Sequence, residues 1–213
     1  MDITKEFSLL EKKIIKLDEE EKILVLNNIK LHLHNISPFK NEPIDYVIWV
    51  KRNQVLANDY NPNVMSPTEK KLLETSLIKD GYTQPIVVLP MLPNKKDQLT
   101  WQVVDGYHRY LLSKKNILKK RLNNYIPVTL LNKKIDDISN QMAATIRHNR
   151  ARGQHKISAM SDIVRDLSRL GWNDYKISKE LGMSKDEVLR LKQISGLTEL
   201  FSDREFSDAW TIK

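Results

Sequence analysis

Hydrophobic periodicity changes twice along this chain of 213 residues, and the two changes limit what it can fold into. Residues 2 to 34 place Leu9, Leu10, Ile14, Leu17, Ile23, Leu24, Leu26, Ile29, Leu31 and Leu33 mostly at helical spacing, with a break near Asp18. From Tyr46 onward, short β-branched and aromatic runs alternate with turns. After about Ile135 the pattern is wholly helical again. The economical reading is an α/β (α+β) unit flanked by helices. It divides into a helical N-terminal extension and linker over 1–43, an α/β domain over 44–135 and a helical domain over 136–213.

Within the middle unit, Tyr46 to Val50 reads as a strand and Asn58 to Pro67 as a loop. Thr68 to Lys79 reads as a helix with Leu72, Leu73, Leu77 and Ile78 inward, and Gly81 ends it in a left-handed turn. Ile86 to Leu89 and Thr100 to Val104 form a hairpin pair, a helix runs from His108 to Leu118, and Ile126 to Leu131 is a further strand. The N-terminal stripe leaves two readings open, packing on the protein's own core or contact with a second copy.

In the last third, Ile138 to Arg147 and Ile157 to Leu170 are amphipathic helices, and Gly171 stops the second. Asn173 or Asp174 then caps a short helix. Gly182 supplies a tight turn, Ser184 caps the next helix, and Ile177, Leu181, Val188 and Leu191 return to one core. This is the grammar of a helix-turn-helix over about 173–194. Its outer face carries Lys185, Asp186, Glu187 and Arg190. Lys179, Ser184, Lys185 and Arg190 are the candidate DNA contacts. Helical hairpins that bind nothing share the spacing.

The strand-to-helix junction Val104-Asp105-Gly106-Tyr107-His108-Arg109-Tyr110 is the main candidate for chemistry. A glycine-led turn opening a helix aims backbone N–H groups at one spot, and His108 and Arg109 add cationic donors, a combination suited to phosphate. The structural alternative is a turn glycine with Asp105 as helix cap and two solvated basic side chains. The formal charge of +8 favours a polyanionic partner, and residues 101–139 hold eight Lys/Arg against three acids.

Other classes recede. With no cysteine, thiol catalysis, disulfides and thiolate metal sites are excluded. The five histidines lack zinc spacing, and no Asp/Glu cluster suggests a two-metal nuclease. No apolar run approaches the ~20 residues of a membrane span, and the first residues lack signal-peptide pattern, so a cytoplasmic protein is expected.

The order of these motifs resembles the ParB and sulfiredoxin superfamily. Gly81-Tyr82-Thr83-Gln84-Pro85-Ile86 is similar to the Gly-x-x-Gln-Pro-Ile segment of ParB proteins. Asp105-Gly106-Tyr107-His108-Arg109 resembles their Gly-Glu-Arg-Arg motif and, more closely, the Gly-x-His-Arg turn of sulfiredoxins and ParB-fold serine kinases. Arg147-His148-Asn149-Arg150-Ala151-Arg152 resembles Glu-Asn-x-x-Arg, and a helix-turn-helix follows. The stretch from Arg147 to Gly153 and the ending Asp203 to Ser207 are similar to small IbrB-like coactivators of prophage gene expression.

The resemblance implies a ParB/sulfiredoxin-like N-terminal domain followed by an all-helical helix-turn-helix domain. It further implies a nucleoside triphosphate, CTP or ATP with Mg²⁺, held by Gln84, Pro85, Gly106, His108, Arg109, Asn149 and Arg152, with Asn149 toward the metal. The expected partners are DNA, a second copy of the chain, and a partner enzyme or transcription factor, with no membrane. His148 stands where ParB has its hydrolysis-associated glutamate, and Tyr107 where sulfiredoxin has its catalytic cysteine, which excludes sulfiredoxin chemistry. A CTPase, ATPase or kinase-like phosphotransferase is the alternative. It would use Asp105 as metal ligand or base and His108 to stabilise the transferring phosphate.

Overall fold

The computed structural model describes residues 3–57, 65–91, 100–131, 138–150 and 157–201. The chain divides into two compact units, 1–58 with 66–134 and 59–65 with 135–213.

The first unit begins with α1 (Ile3–Ile14) and α2 (Glu19–Ile36), separated by Asp18. Asp18 caps α2: its carboxylate accepts from the Glu21 N–H at 2.8 Å, and the Glu21 carboxylate answers from the Asp18 N–H. The stretch read as a linker is partly ordered, since α2 runs through Ile36 and a 3-10 turn covers Pro43–Asp45.

Five described strands form one mixed sheet: β1 (Val47–Lys51), β2 (Val55–Leu56), β3 (Ile86–Met91), β4 (Thr100–Asp105) and β5 (Tyr125–Leu130), in the order β1-β5-β3-β4-β2. β1 runs antiparallel to β5 and β3 antiparallel to β4, while β5 and β3, and β4 and β2, pair in parallel. Ile48, Val50, Ile86, Val88, Val103, Ile126 and Val128 fill its core. The interior strand β5 buries Tyr125 through Thr129 without alternation, as expected for a strand covered on both faces.

Helices α3 (Pro67–Lys79), α4 (Tyr107–Leu112) and α5 (Asn116–Arg121) share a smaller core of Leu77, Leu112 and Leu118. Three details depart from the sequence expectations. Leu72 is 70% exposed, so Leu73, Leu77 and Ile78 alone face inward. The helix expected from His108 to Leu118 breaks into α4 and α5. Ser113 Oγ donates to the Tyr110 carbonyl at 2.6 Å, and Lys115 takes an extended conformation (φ −60°, ψ 134°) as cap of α5, so the helical ladder stops. And no residue of α1 or α2 is buried.

A row of polar contacts holds α2 instead. Asn27 grips edge strand β1 from both sides, its Nδ2 donating to the Trp49 carbonyl at 2.7 Å and its Oδ1 accepting the Trp49 N–H at 3.0 Å. Lys30 donates to the Val47 carbonyl, Lys51 to Glu20, and the Asn123 side chain to Glu19. At the C-terminal end, His34 Nδ1 and Asp45 lie 2.6 Å apart, and the His34 ring stacks on Tyr46.

The second unit packs α6 (Ile138–Arg150), α7 (Ile157–Arg169), α8 (Asp174–Leu181) and α9 (Lys185–Phe201). Met142, Ile146, Met160, Ile163, Val164, Leu167, Trp172, Ile177, Leu181 and Val188 make its core. Gly171 and Gly182 take left-handed φ values of +88° and +62°, and α9 runs well beyond Ile194.

Two outcomes test the α2 clamp. Asn27→Ala removes both bonds to β1 and leaves the Trp49 amide group unmatched, so it should cost about 1–3 kcal/mol in urea unfolding of the first unit. The hydrogen bond from His34, then that from Ser37, hold the Asp45 carboxyl below its ordinary range. A depressed carboxyl adds stability above its unfolded pKa of about 3.9 and loses it as pH falls through the folded value. The melting-temperature gap between wild type and Asp45→Asn should therefore be widest near neutral pH and close as the pH drops below about 4.

Candidate functional site

Antiparallel pairing of β3 and β4 puts the start of one strand beside the end of the other, with Val87 opposite Asp105. The Gln84-Pro85 pair that leads into β3 is thereby set beside the turn that leaves β4. The chain turns at Gly106, which has φ +86° and ψ 23° and is the N-cap of α4. L-residues with a Cβ rarely adopt that conformation. A Cβ there would also lie 2.9 Å from the Arg109 guanidinium, which is folded over the glycine.

Four of the sequence candidates converge here. Arg109 Nη1 donates to Gln84 Oε1 at 2.6 Å, and Nη2 lies 3.8 Å from Asp105 Oδ2. Asp105 Oδ1 accepts the Gly106 N–H at 2.7 Å, so this buried carboxylate both fixes the turn and neutralises the arginine. The first bond within α4 runs from the Tyr110 N–H to the Gly106 carbonyl. Gln84 is exposed and Pro85 half-buried at the rim.

His108 finds other company. Its ring meets Tyr107 edge-on at 5.5 Å, and its charge adds a minor pull to Glu69 at the start of α3, whose carboxyl is lowered chiefly by hydrogen bonding to Ser66. The backbone of Asn149 lies on α6; Arg152 lies outside the described residues. Among the described residues, no group of three or more Asp, Glu or His stands close enough to hold a metal ion.

The sequence reading overlooked residues that brace the turn from behind. Tyr82 donates its hydroxyl to the Arg109 carbonyl at 3.0 Å, and burial pushes its phenol up to about 12. Arg52 lies over the Tyr110 ring at 4.8 Å and donates from Nε to Ser113 Oγ. Tyr110 in turn donates to the Val55 carbonyl. Tyr82 sits inside the first motif and was within reach of the sequence. Arg52 carried no local signal.

The helix-turn-helix forms with α8 and α9 around Gly182. Asn173 rather than Asp174 caps α8, and the Ser184 hydroxyl accepts the Glu187 N–H at 3.1 Å, so Ser184 caps α9 as expected. Lys179, Lys185, Asp186 and Arg190 are exposed, while Glu187 is half-buried. Leu189 joins the outer face at 51% exposure. Lys185 approaches the exposed Tyr175 ring, and Glu180 pairs with Arg147.

These features define a two-unit protein with a mixed-sheet α/β domain and a C-terminal helix-turn-helix domain. Residues 155–203 match the family described as the IbrB-like C-terminal HTH domain. The chain is 54% identical over 202 residues to the Escherichia coli (strain K12) protein called Uncharacterized protein YbdM, covering 94% of this chain and 92% of the relative. It belongs to the family of that protein.

Solved structures that this chain matches include C-terminally truncated ParB from Caulobacter crescentus complexed with CTP-γ-S, at 16% identity and TM-score 0.38, covering 73% of this chain and 83% of that one. Another is a Pnob8-like ParB-N domain, at 13% identity and TM-score 0.46, covering 74% and 73%. No described helix is long and apolar enough to cross a membrane.

Gly106→Ala tests the turn. The left-handed backbone and the close approach of Arg109 should together cost about 1–3 kcal/mol in chemical denaturation. Gly81→Ala, at φ +82° with nothing within 4 Å of the added methyl, isolates the backbone share of that cost.

Proposed function

We propose that this protein is a DNA-binding regulatory protein of the transcription-coactivator type, in which α9 reads DNA and the Gly106 turn holds the phosphates of a nucleotide. The observation that carries the first half is the domain itself. A glycine turn and a capped second helix leave Lys185, Asp186 and Arg190 exposed at the start of α9, where a recognition helix presents its base-contacting residues. Lys179 on α8 adds a cation for the DNA backbone. The matched family's description as an HTH domain supports the same reading.

The matched segment holds eight Lys/Arg against eight Asp/Glu. A neutral domain gains little from bulk attraction to DNA, so affinity rests on a few placed contacts.

For the nucleotide, support comes from the cluster of Gln84, Asp105, Gly106 and Arg109. Arg109 offers a planar fork suited to phosphate and lies over a glycine whose missing Cβ leaves room for it. CTP or ATP is the nucleotide proposed for that donor set. In the alternative phosphotransferase or NTPase, Asp105 would serve as base or metal ligand and His108 would stabilise the transferring phosphate. The hydrogen bond that Asp105 accepts from the Gly106 N–H and its ion pair with Arg109 favour a positioning role for that carboxylate.

Fluorescence anisotropy with genomic fragments tests the DNA reading. Arg190→Ala should weaken binding by about 5- to 150-fold. The slope of log K against log salt should be shallow, near −3 for three phosphate-neutralising cations. Undiminished affinity in a Lys179, Lys185, Arg190 triple-alanine variant contradicts this assignment.

A further inference from the structure

α1 is amphipathic and uncovered. None of its residues is buried, and Ile3 and Phe7 stand 65% and 52% exposed. Helices of this length are marginal in water when nothing packs on them, so a bare α1 needs a partner. Between α1 and α2 lies an open apolar groove of about 550 Å³, lined by Phe7, Leu10, Ile14, Leu26 and Ile29.

The pattern of α1 says what fits. Ile3, Phe7, Leu10 and Ile14 are spaced four, three and four apart, the seam of a coiled coil. That seam is symmetric about the midpoint between Phe7 and Leu10. A second α1 laid antiparallel across a two-fold axis there matches Ile3 with Ile14 and Phe7 with Leu10.

The flanking charges select the same arrangement. Glu6 and Lys13 are exposed one heptad apart on the same side of the seam, so antiparallel pairing sets Glu6 of each copy beside Lys13 of the other. Parallel pairing would oppose Glu6 to Glu11 of the second copy. Ile3, Phe7 and Leu10 of the seam and Leu26 in the groove wall stand 65%, 52%, 37% and 41% exposed, so pairing removes apolar surface on both helices of each copy.

We propose that the α1–α2 hairpin is a homodimerisation element, in which two hairpins pair antiparallel into a four-helix bundle through the 3-7-10-14 seam.

Sedimentation equilibrium of the full chain at tens of micromolar should give twice the 24.9 kDa chain mass. Phe7→Glu with Leu10→Glu should give a monomer with the circular dichroism of the rest of the fold retained, because neither side chain is buried. Glu6→Lys or Lys13→Glu alone should weaken the dimer several-fold, and the two together should restore it. A wild-type monomer overturns the proposal, as does a dimer that survives the double glutamate variant or charge swaps that fail to rescue one another. A monomer that instead floats with phosphatidylglycerol vesicles assigns the groove to a lipid surface.

Discussion

The left-handed backbone at Gly106 sets the direction in which α4 leaves the sheet, and the candidate site depends on it. Because the residue has no Cβ, the Arg109 guanidinium can fold back over the turn to within reach of both Gln84 and Asp105. Strand pairing supplies the other half. β3 and β4 are antiparallel neighbours, so a Gln-Pro pair more than twenty residues earlier in the chain arrives at the same corner. Tyr82 and Tyr110 then fix the back of the turn through hydrogen bonds to main-chain carbonyls, leaving its rim to the polar side chains.

In this structure Arg109 is matched by the protein's own groups: an amide oxygen at full hydrogen-bond strength and a carboxylate at longer range. A phosphate at the turn would compete with the exposed Gln84 more readily than with the buried Asp105. The same carboxylate that steadies the arginine would thus weaken its hold on an anion.

Much of the fold was legible because local signals sufficed. Met160, Ile163, Val164 and Leu167 repeat at helical spacing, and Gly171, Asn173, Gly182 and Ser184 punctuate the helical domain where the structure has its turns and caps. Where local pattern was ambiguous, the sequence misled. Apolar spacing runs on through Leu111, Leu112 and Leu118, hiding the break that the Ser113 hydroxyl makes, and adjacent Leu72 and Leu73 do not announce which one turns inward. Contacts made by tertiary pairing were invisible, Arg52 over Tyr110 and Asn27 on Trp49 among them, since each joins residues far apart in sequence. At the site, the motif order nominated Gln84, Gly106 and Arg109, which do meet. His108 was nominated with them, and its ring meets Tyr107 edge-on.

The claim that the Gly106 turn is a phosphate-binding element is tested most directly by calorimetric titration of CTP and ATP, with and without Mg²⁺ and DNA. The account predicts saturable binding of one of the two nucleotides by the wild-type chain and its loss in Arg109→Ala, with circular dichroism unchanged. Only the heat of dilution for both nucleotides under every condition, or equal binding by Arg109→Ala, would contradict it.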